Sequence, residues 1–288
     1  MRDFIITTDN TADLPDSFLA AHNIKPAYLP YSFGDKIYNS DNSLSMQDFY
    51  NKMRGGEMPT TMALNPDDAK DFFNGYIQKG LDILYICFSS GLSSTYNNAC
   101  IAAKEIMDEN PDSRIIVIDS LAASLGEGLM VYRAYQLKEA GLSIDETASY
   151  LNEHTKNFVH LFTVDDLNHL HRGGRVSKAT AIVGTLAGIK PILHVDDEGH
   201  LIAIGKTRGR KKSILELLDR METLIGSYKD ETDKVFISHG DCLEDAQFLA
   251  DKIKERFGKE VIINYICPTI GTHSGPGTLA LFFMGEHR

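Results

Sequence analysis

The sequence predicts an α/β protein in two units: residues 1–157 as a three-layer α/β/α unit with a mainly parallel sheet, and residues 158–288 as a two-layer α/β unit with a mixed or antiparallel sheet. Three observations carry this. Through the first half, short apolar runs ending in polar turns alternate with stretches of helical period, as parallel strands covered on both faces require. In the second half, apolar segments at 191–195 and 200–204 flank Asp196, Asp197, Glu198 and Gly199, which reads as a hairpin and hence antiparallel pairing. The length of 288 residues accommodates two ordinary domains, and no repeat or low-complexity tract interrupts it.

Residues 4–8 form the first strand, followed by the polar turn Asp9, Asn10, Thr11 and a short helix near Pro15 for which Asp13 is the expected cap. Residues 24–33 are apolar but broken by Pro26 and Pro30, which suits an edge strand, turned back at Gly34 and Asp35. Ser45 followed by Asp48 opens a helix to Arg54, and Asn65 with Pro66 opens another toward Gly80. The run 83–88 is a buried central strand. It ends in Ser89, Ser90, Gly91, Leu92, Ser93, Ser94 and Thr95, before a helix over 97–107.

A strand at 114–119 and a helix at 125–140 follow, and Ser143 with Glu146 forms a capping box for a helix toward Lys156. In the second unit, strands are expected at 158–164, 235–238, 261–266 and 278–284. Helices are expected at 179–186, 211–225 and 245–257, the middle one striped by Ile214, Leu217, Leu218, Met221 and Ile225.

Lys plus Arg number 29 against 40 Asp plus Glu, a net charge of -11, so a nucleic-acid backbone meets repulsion and nucleic acid is excluded as a partner. The cysteines at 87, 100, 242 and 267 lack the CxxC spacing of zinc or redox sites and the density of a disulfide scaffold. They read as thiols in a reducing compartment. No apolar run approaches the ~18 residues of a membrane span, and a cytoplasmic, non-integral protein is expected. Neither a GxxxxGK[ST] loop nor a GxGxxG fingerprint is present, so no nucleotide cofactor is expected, and no metal.

The serine-rich turn after the central strand brings hydroxyls and unpaired helix amides toward one small volume, which suits a phosphate or carboxylate; alternatively the serines only cap the helix. Toward the end of the chain, His273 stands among Gly271, Gly275, Pro276 and Gly277 in what reads as a tight loop. Glycine neighbours leave room for a ligand, and imidazole is a fitting carboxylate partner. The same residues allow a serine hydrolase acting on acyl esters, with Ser93 or Ser94 as nucleophile, His273 as base and Asp9 or Asp119 as orienter, although GxSxG is missing. A phosphate cradle for a sugar or phospho-ligand is a third reading. His169 and His171 form an HxH pair without a third metal ligand in register, and read as surface residues.

Taken jointly, TTDNTADLP at 7–15, PTTMALNP at 59–66, SSGLSSTY at 89–96, HRGGRVS at 171–177, GIKPIL at 188–193, KTRGRKK at 206–212 and GTHSGPGTLAL at 271–281 resemble the signatures of the DegV family, in the family's order. The chain departs from the family's usual Thr-Ser-Gln-Pro-Ser-Pro at Met62, Ala63, Leu64 and Asn65, from its usual Ser at Asn10, and from its usual Gly at Ser94.

The resemblance implies a long-chain fatty acid held between the two units, its carboxylate at Thr61, Ser93 and His273. It also implies a carrier role in which a separate ATP-binding kinase subunit converts the acid to an acyl phosphate. Two hydroxyls and an imidazole N–H supply three donors without a repelling carboxylate. In a chain of net charge -11, Arg172, Arg175, Lys178, Lys206, Arg208, Arg210, Lys211 and Lys212 concentrate positive charge, and Arg172 and Arg208 are the candidates for docking that kinase.

Overall fold

The computed structural model describes residues 3–177 and 188–288. The helix expected at 179–186, and Lys178, lie outside the described residues. Strands β1 (Phe4–Thr8), β5 (Asp82–Cys87) and β6 (Ile115–Asp119) form a parallel sheet in the order β1-β5-β6. Alternation along these strands decides its two faces. Ile83, Tyr85, Cys87 and Ile115 meet helices α3 (Pro66–Ile77) and α4 (Thr95–Glu109), while Ile6, Leu84, Ile86 and Ile118 meet α5 (Leu125–Glu139) and α6 (Ile144–His154). Capping behaves as the sequence demands: Asn65 caps α3 with Pro66 in its first turn, and Ser143 and Glu146 bond reciprocally at the start of α6.

A mixed sheet runs in the order β11-β10-β12-β7-β8-β9, built from β7 (Phe158–Thr163), β8 (Ile189–Val195), β9 (Leu201–Arg208), β10 (Lys234–His239), β11 (Glu260–Tyr265) and β12 (Leu279–Met284). Only β10 and β11 pair in parallel; β8 and β9 are the expected hairpin. One face packs Val159, Leu161, Ile237, Leu281 and Phe283 against α8 (Arg210–Leu224) and α9 (Leu243–Phe257). The opposite face carries Phe158, Phe162, Phe236, Ala280 and Phe282 and meets α5.

Helix α5 therefore lies between the two sheets, which explains a composition without a polar stripe: Leu129, Met130, Val131 and Ala134 are all buried. Its glycines permit the close approach. A Cβ on Gly128 would stand 2.6 Å from the Ala12 carbonyl oxygen, and one on Gly126 2.8 Å from the His160 ring and from Phe282.

Three departures from the sequence reading matter for the site. First, of the segment 24–33 only β2 (Tyr31–Phe33) is a strand, and it is the middle of a small antiparallel sheet in the order β3-β2-β4, with β3 (Lys36–Tyr38) and β4 (Pro59–Thr61), not an edge. Both prolines precede it, so its amides are free to pair on both sides. Tyr31, Phe33, Tyr38, Phe49 and Tyr50 pack beneath this sheet, the last two from α2 (Met46–Arg54).

Second, Asp13 does not cap α1 (Asp16–Ala21); its backbone is left-handed at φ 52° and its carboxylate is buried, accepting from the Cys267 amide at 2.9 Å and from the Ser124 hydroxyl. Third, His273 sits on a helix, α10 (Pro268–Ser274), not in a loop: Pro268 occupies the first turn, and the glycines after it terminate the helix at Gly275 (φ 79°).

Candidate functional site

Beyond Cys87 the chain leaves β5, and the Ser89 amide donates to the Ala122 carbonyl at 3.0 Å. The Phe88 amide donates to Asp9 at 3.1 Å, the Ser90 amide to Asp119 at 3.1 Å, and the Ser89 hydroxyl to the Gly199 carbonyl at 3.0 Å in the β8–β9 hairpin. Gly91 closes on the same hairpin, where a Cβ would stand 2.7 Å from the Glu198 carbonyl oxygen. Ser89 thus ties the parallel sheet to the β8–β9 hairpin, and Ser93 and Ser94 line a cavity. Ser93 Oγ accepts from the Thr95 amide at 3.2 Å and is hydrogen-bonded to Thr95 Oγ1 at 2.9 Å, at the start of α4.

Thr61 ends β4, paired with Tyr31, and its Oγ1 is 2.9 Å from His273 Nε2. The other ring nitrogen of His273 points at Gly173, just after α7 (Asn168–Arg172), where a Cβ would approach within 2.2 Å of Nδ1. Reciprocally, a Cβ on Gly275 would stand 2.5 Å from the His169 ring, and one on Gly271 2.6 Å from the Tyr50 hydroxyl. Three glycines therefore fix α10 against α7 and α2 and set the position of the imidazole. Burial, aided by the nearby Arg175 guanidinium, lowers the His273 pKa to about 4, so the ring is neutral at pH 7.

Thr61, Ser93 and His273 line one cavity of about 170 Å³, together with Ser94, Thr269 and Ser274. Its remaining walls are largely apolar: Leu29, Phe88 and Leu92 from the first half, Phe162, Ala280 and Phe282 from the inner face of the mixed sheet. Arg175 also lines it. The sequence reading grouped Arg175 with the surface charges, but its guanidinium turns inward and donates to the Leu92 carbonyl at 2.8 Å and to the Gly173 carbonyl. The signal available was Gly173-Gly174, since Gly174 is left-handed (φ 76°) and reverses the chain to bring Arg175 back over α7.

Arg172 and Arg208 are exposed and do not line the cavity, whereas Arg210 is engaged by Asp245 at 2.8 Å. His169 Nδ1 is 2.8 Å from Arg172, and among the described residues no group of His, Cys, Asp and Glu could hold a metal.

The hydrolase arrangement does not assemble among the described residues. His273 Nε2 bonds Thr61, not Ser93 or Ser94; Asp9 and Asp119 bond the amides of the serine turn, not the imidazole. A nucleophile, base and orienter in sequence are required for that chemistry.

Three buried carboxyls are held by hydroxyl groups, and two of them, Glu127 and Asp9, share Thr11. Glu127 accepts from Thr8 at 2.7 Å and Thr11 at 3.1 Å, Asp9 accepts from Thr11, and Asp13 joins Ser124, itself 2.7 Å from Ser238. Burial pushes all three up, Asp13 to about 7. All four cysteines are unpaired, and no helix among the described residues is long and apolar enough to cross a membrane.

A family model described as "Uncharacterised protein, DegV family" matches residues 3–286. A DegV domain-containing protein of Clostridium perfringens is 44% identical over 289 residues, covering 99% of each chain. A Thermus thermophilus protein whose solved structure is described as fatty-acid binding of a DegV family protein superposes with a TM-score of 0.87 at 28% identity, covering 99% of this chain and 100% of the other. The Bacillus subtilis structure described as DegV, a fatty acid binding protein, gives a TM-score of 0.85 at 27% identity over 99% and 100%.

Proposed function

This chain belongs to the DegV family, and from that premise we propose that it binds one long-chain fatty acid in the cytoplasm, with residues 1–157 and 158–288 as two lobes and the ligand between them. The carboxylate sits at Thr61, Ser93 and His273, and the tail runs along the apolar walls. The observation that carries the reading is the composition of the cavity: hydroxyl, imidazole and guanidinium groups at Thr61, Ser93, His273 and Arg175, with Phe162, Ala280 and Phe282 among the rest of the lining. At ~0.8 kcal/mol per buried methylene, a ~16-carbon tail offers on the order of 10 kcal/mol of gross burial. The tail supplies affinity; the polar group supplies orientation. Protein purified from a bacterial host under native conditions is expected to carry long-chain fatty acid in near equimolar amount, measured by organic extraction and mass spectrometry. Absence of lipid, together with no thermal stabilisation on adding one, contradicts this.

The finer reading is that the protein is a carrier and not a catalyst, presenting the acid to a separate ATP-dependent kinase. There a carboxylate oxygen attacks the γ-phosphorus of ATP, ADP leaves, and an acyl phosphate forms. Arg172 and Arg208 support a docking role because both are exposed and outside the cavity lining, so they are available to an acidic partner face. Reversing both to Glu should suppress acyl phosphate formation with a cognate kinase at low salt while fatty-acid affinity changes little. Unchanged phosphorylation eliminates the docking surface, and parallel loss of lipid binding assigns these arginines to the ligand instead.

A further inference from the structure

One wall residue of the tail compartment does not fit a hydrocarbon ligand. His160 on β7 shares the inner face of the mixed sheet with Phe158 and Phe162, lines the cavity, and is 1% exposed. Neither Nδ1 nor Nε2 has a hydrogen-bond partner among the described residues. The ring is held firmly: a Cβ on Gly126 would stand 2.8 Å from its Cδ2 and 2.9 Å from its Nε2, and the Phe282 ring meets it edge-on at 5.7 Å between centroids. Ser274, another lining residue, also has its buried Oγ unpartnered.

Leaving a buried donor and acceptor unpaired is costly, and native interiors rarely do it. A wall meant only for methylenes is better made by Leu or Phe, which carry no polar atom to desolvate. Burial, reinforced by Arg288 and His194, keeps the His160 ring neutral, so it offers one donor and one acceptor. A methylene answers neither group and a ketone answers only the donor. A hydroxyl, donor and acceptor alike, answers whichever of the two it meets.

We propose that His160 is a specificity-determining residue of the tail compartment that hydrogen-bonds an alcohol on the acyl chain, so that the preferred ligand is a hydroxylated long-chain fatty acid. This rests on the lipid-binding reading above and refines its ligand class. The cost of bringing an alcohol out of water is offset only where a partner waits, which makes the preference positional: the isomer whose hydroxyl falls opposite His160 gains, and the others lose.

The test uses delipidated full-length protein and displacement of labelled stearate by unlabelled stearate and by a set of positional hydroxystearates. At least one isomer should compete about tenfold better than stearate, the scale of a hydrogen bond made where a buried group was otherwise unmet. His160→Phe should bring that isomer down to the level of stearate while stearate itself stays within about threefold. The proposal is overturned if no isomer outcompetes stearate in the wild type, or if the preference survives in His160→Phe; should that variant not fold, the wild-type ranking alone decides. Stearate binding without any preference removes this inference and leaves the lipid reading intact, whereas failure of stearate and every hydroxystearate to bind removes both.

Discussion

His273→Ala is expected to weaken fatty-acid binding at least tenfold, with Thr61→Val and Ser93→Ala following in the same range, while all three variants remain folded. A hydrogen bond to a charged group is worth ~1.5–3 kcal/mol, about one to two orders of magnitude in affinity. His273 should cost most because its loss removes a ring from the cavity wall and also the partner that orients Thr61. Its ring, neutral with a pKa of about 4, faces the cavity and also holds the Thr61 hydroxyl at 2.9 Å. With Nε2 protonated, the imidazole donates to Thr61 Oγ1, and the Thr61 proton is then free to point at the ligand. Thr61→Val removes only that hydroxyl at nearly constant volume. Because the two residues share one bond, Thr61→Val and His273→Ala together should cost less than the sum of the single changes. Displacement of a labelled fatty acid measures the affinities, and circular dichroism melts check folding. If each variant binds within twofold of wild type, the carboxylate lies elsewhere in the cavity; strict additivity would show that Thr61 and His273 act separately.

The sequence made the layers legible and the site's scaffolding much less so. Apolar alternation in 83–88 and 114–119, and the hairpin signal at Asp196 to Gly199, are local patterns imposed by burial on each strand face, and the sheets follow them. The family resemblance directed attention to Thr61, Ser93 and His273, which line one cavity.

What stayed hidden depended on contacts distant in sequence. Strand β4 is three residues long, too short for any periodicity, and exists because Tyr31–Phe33 pairs with it across an aromatic cluster. Helix α10 looked like a loop because Gly271 and the glycines behind it suggest turns; Gly271 is there because the Tyr50 hydroxyl leaves no room for a Cβ. Arg175 read as one more surface charge: Gly173-Gly174 marks a reversal of the chain, but its carbonyl partner Leu92 lies more than eighty residues away. Likewise, Asp13 has the residue type and spacing of a helix cap, and its actual partners are Ser124 and the Cys267 amide, more than a hundred residues away.

That buried carboxyl gives the largest stability effect we expect. Asp13→Asn should stabilise the protein relative to wild type, and the advantage should grow with pH. Burial raises the Asp13 pKa from 3.8 to about 7, against hydrogen bonds from Ser124 and Cys267 that lower it, and the neighbouring Asp9 raises it further. A carboxyl whose folded pKa is raised holds its proton more tightly in the native state. Its contribution is therefore fully present below about pH 4, near the unfolded value, and is lost as pH rises through about 7. Asparagine mimics the neutral acid at every pH and accepts the left-handed backbone at φ 52° better than most residues.

Between pH 5 and pH 8 the wild type loses the two pKa units from 5 to 7, so the difference between variant and wild type should widen by about 3 kcal/mol. That corresponds to an apparent Tm gain on the order of 5–10 °C for a chain of this size. The buried histidines His160, His239 and His273 have lowered pKa values, and their contribution runs the other way, present above about 6.5 and lost toward acid. They titrate alike in both proteins, which is why the difference between the two melting profiles, and not the wild-type profile, isolates Asp13. A difference that stays flat from pH 5 to pH 8 would mean that Asp13 is already ionised at pH 5, its charge carried by the Cys267 amide and the Ser124 hydroxyl. A gain confined to pH above 7 in Glu127→Gln but not in Asp13→Asn would assign the titration to Glu127, which accepts from Thr8 and Thr11.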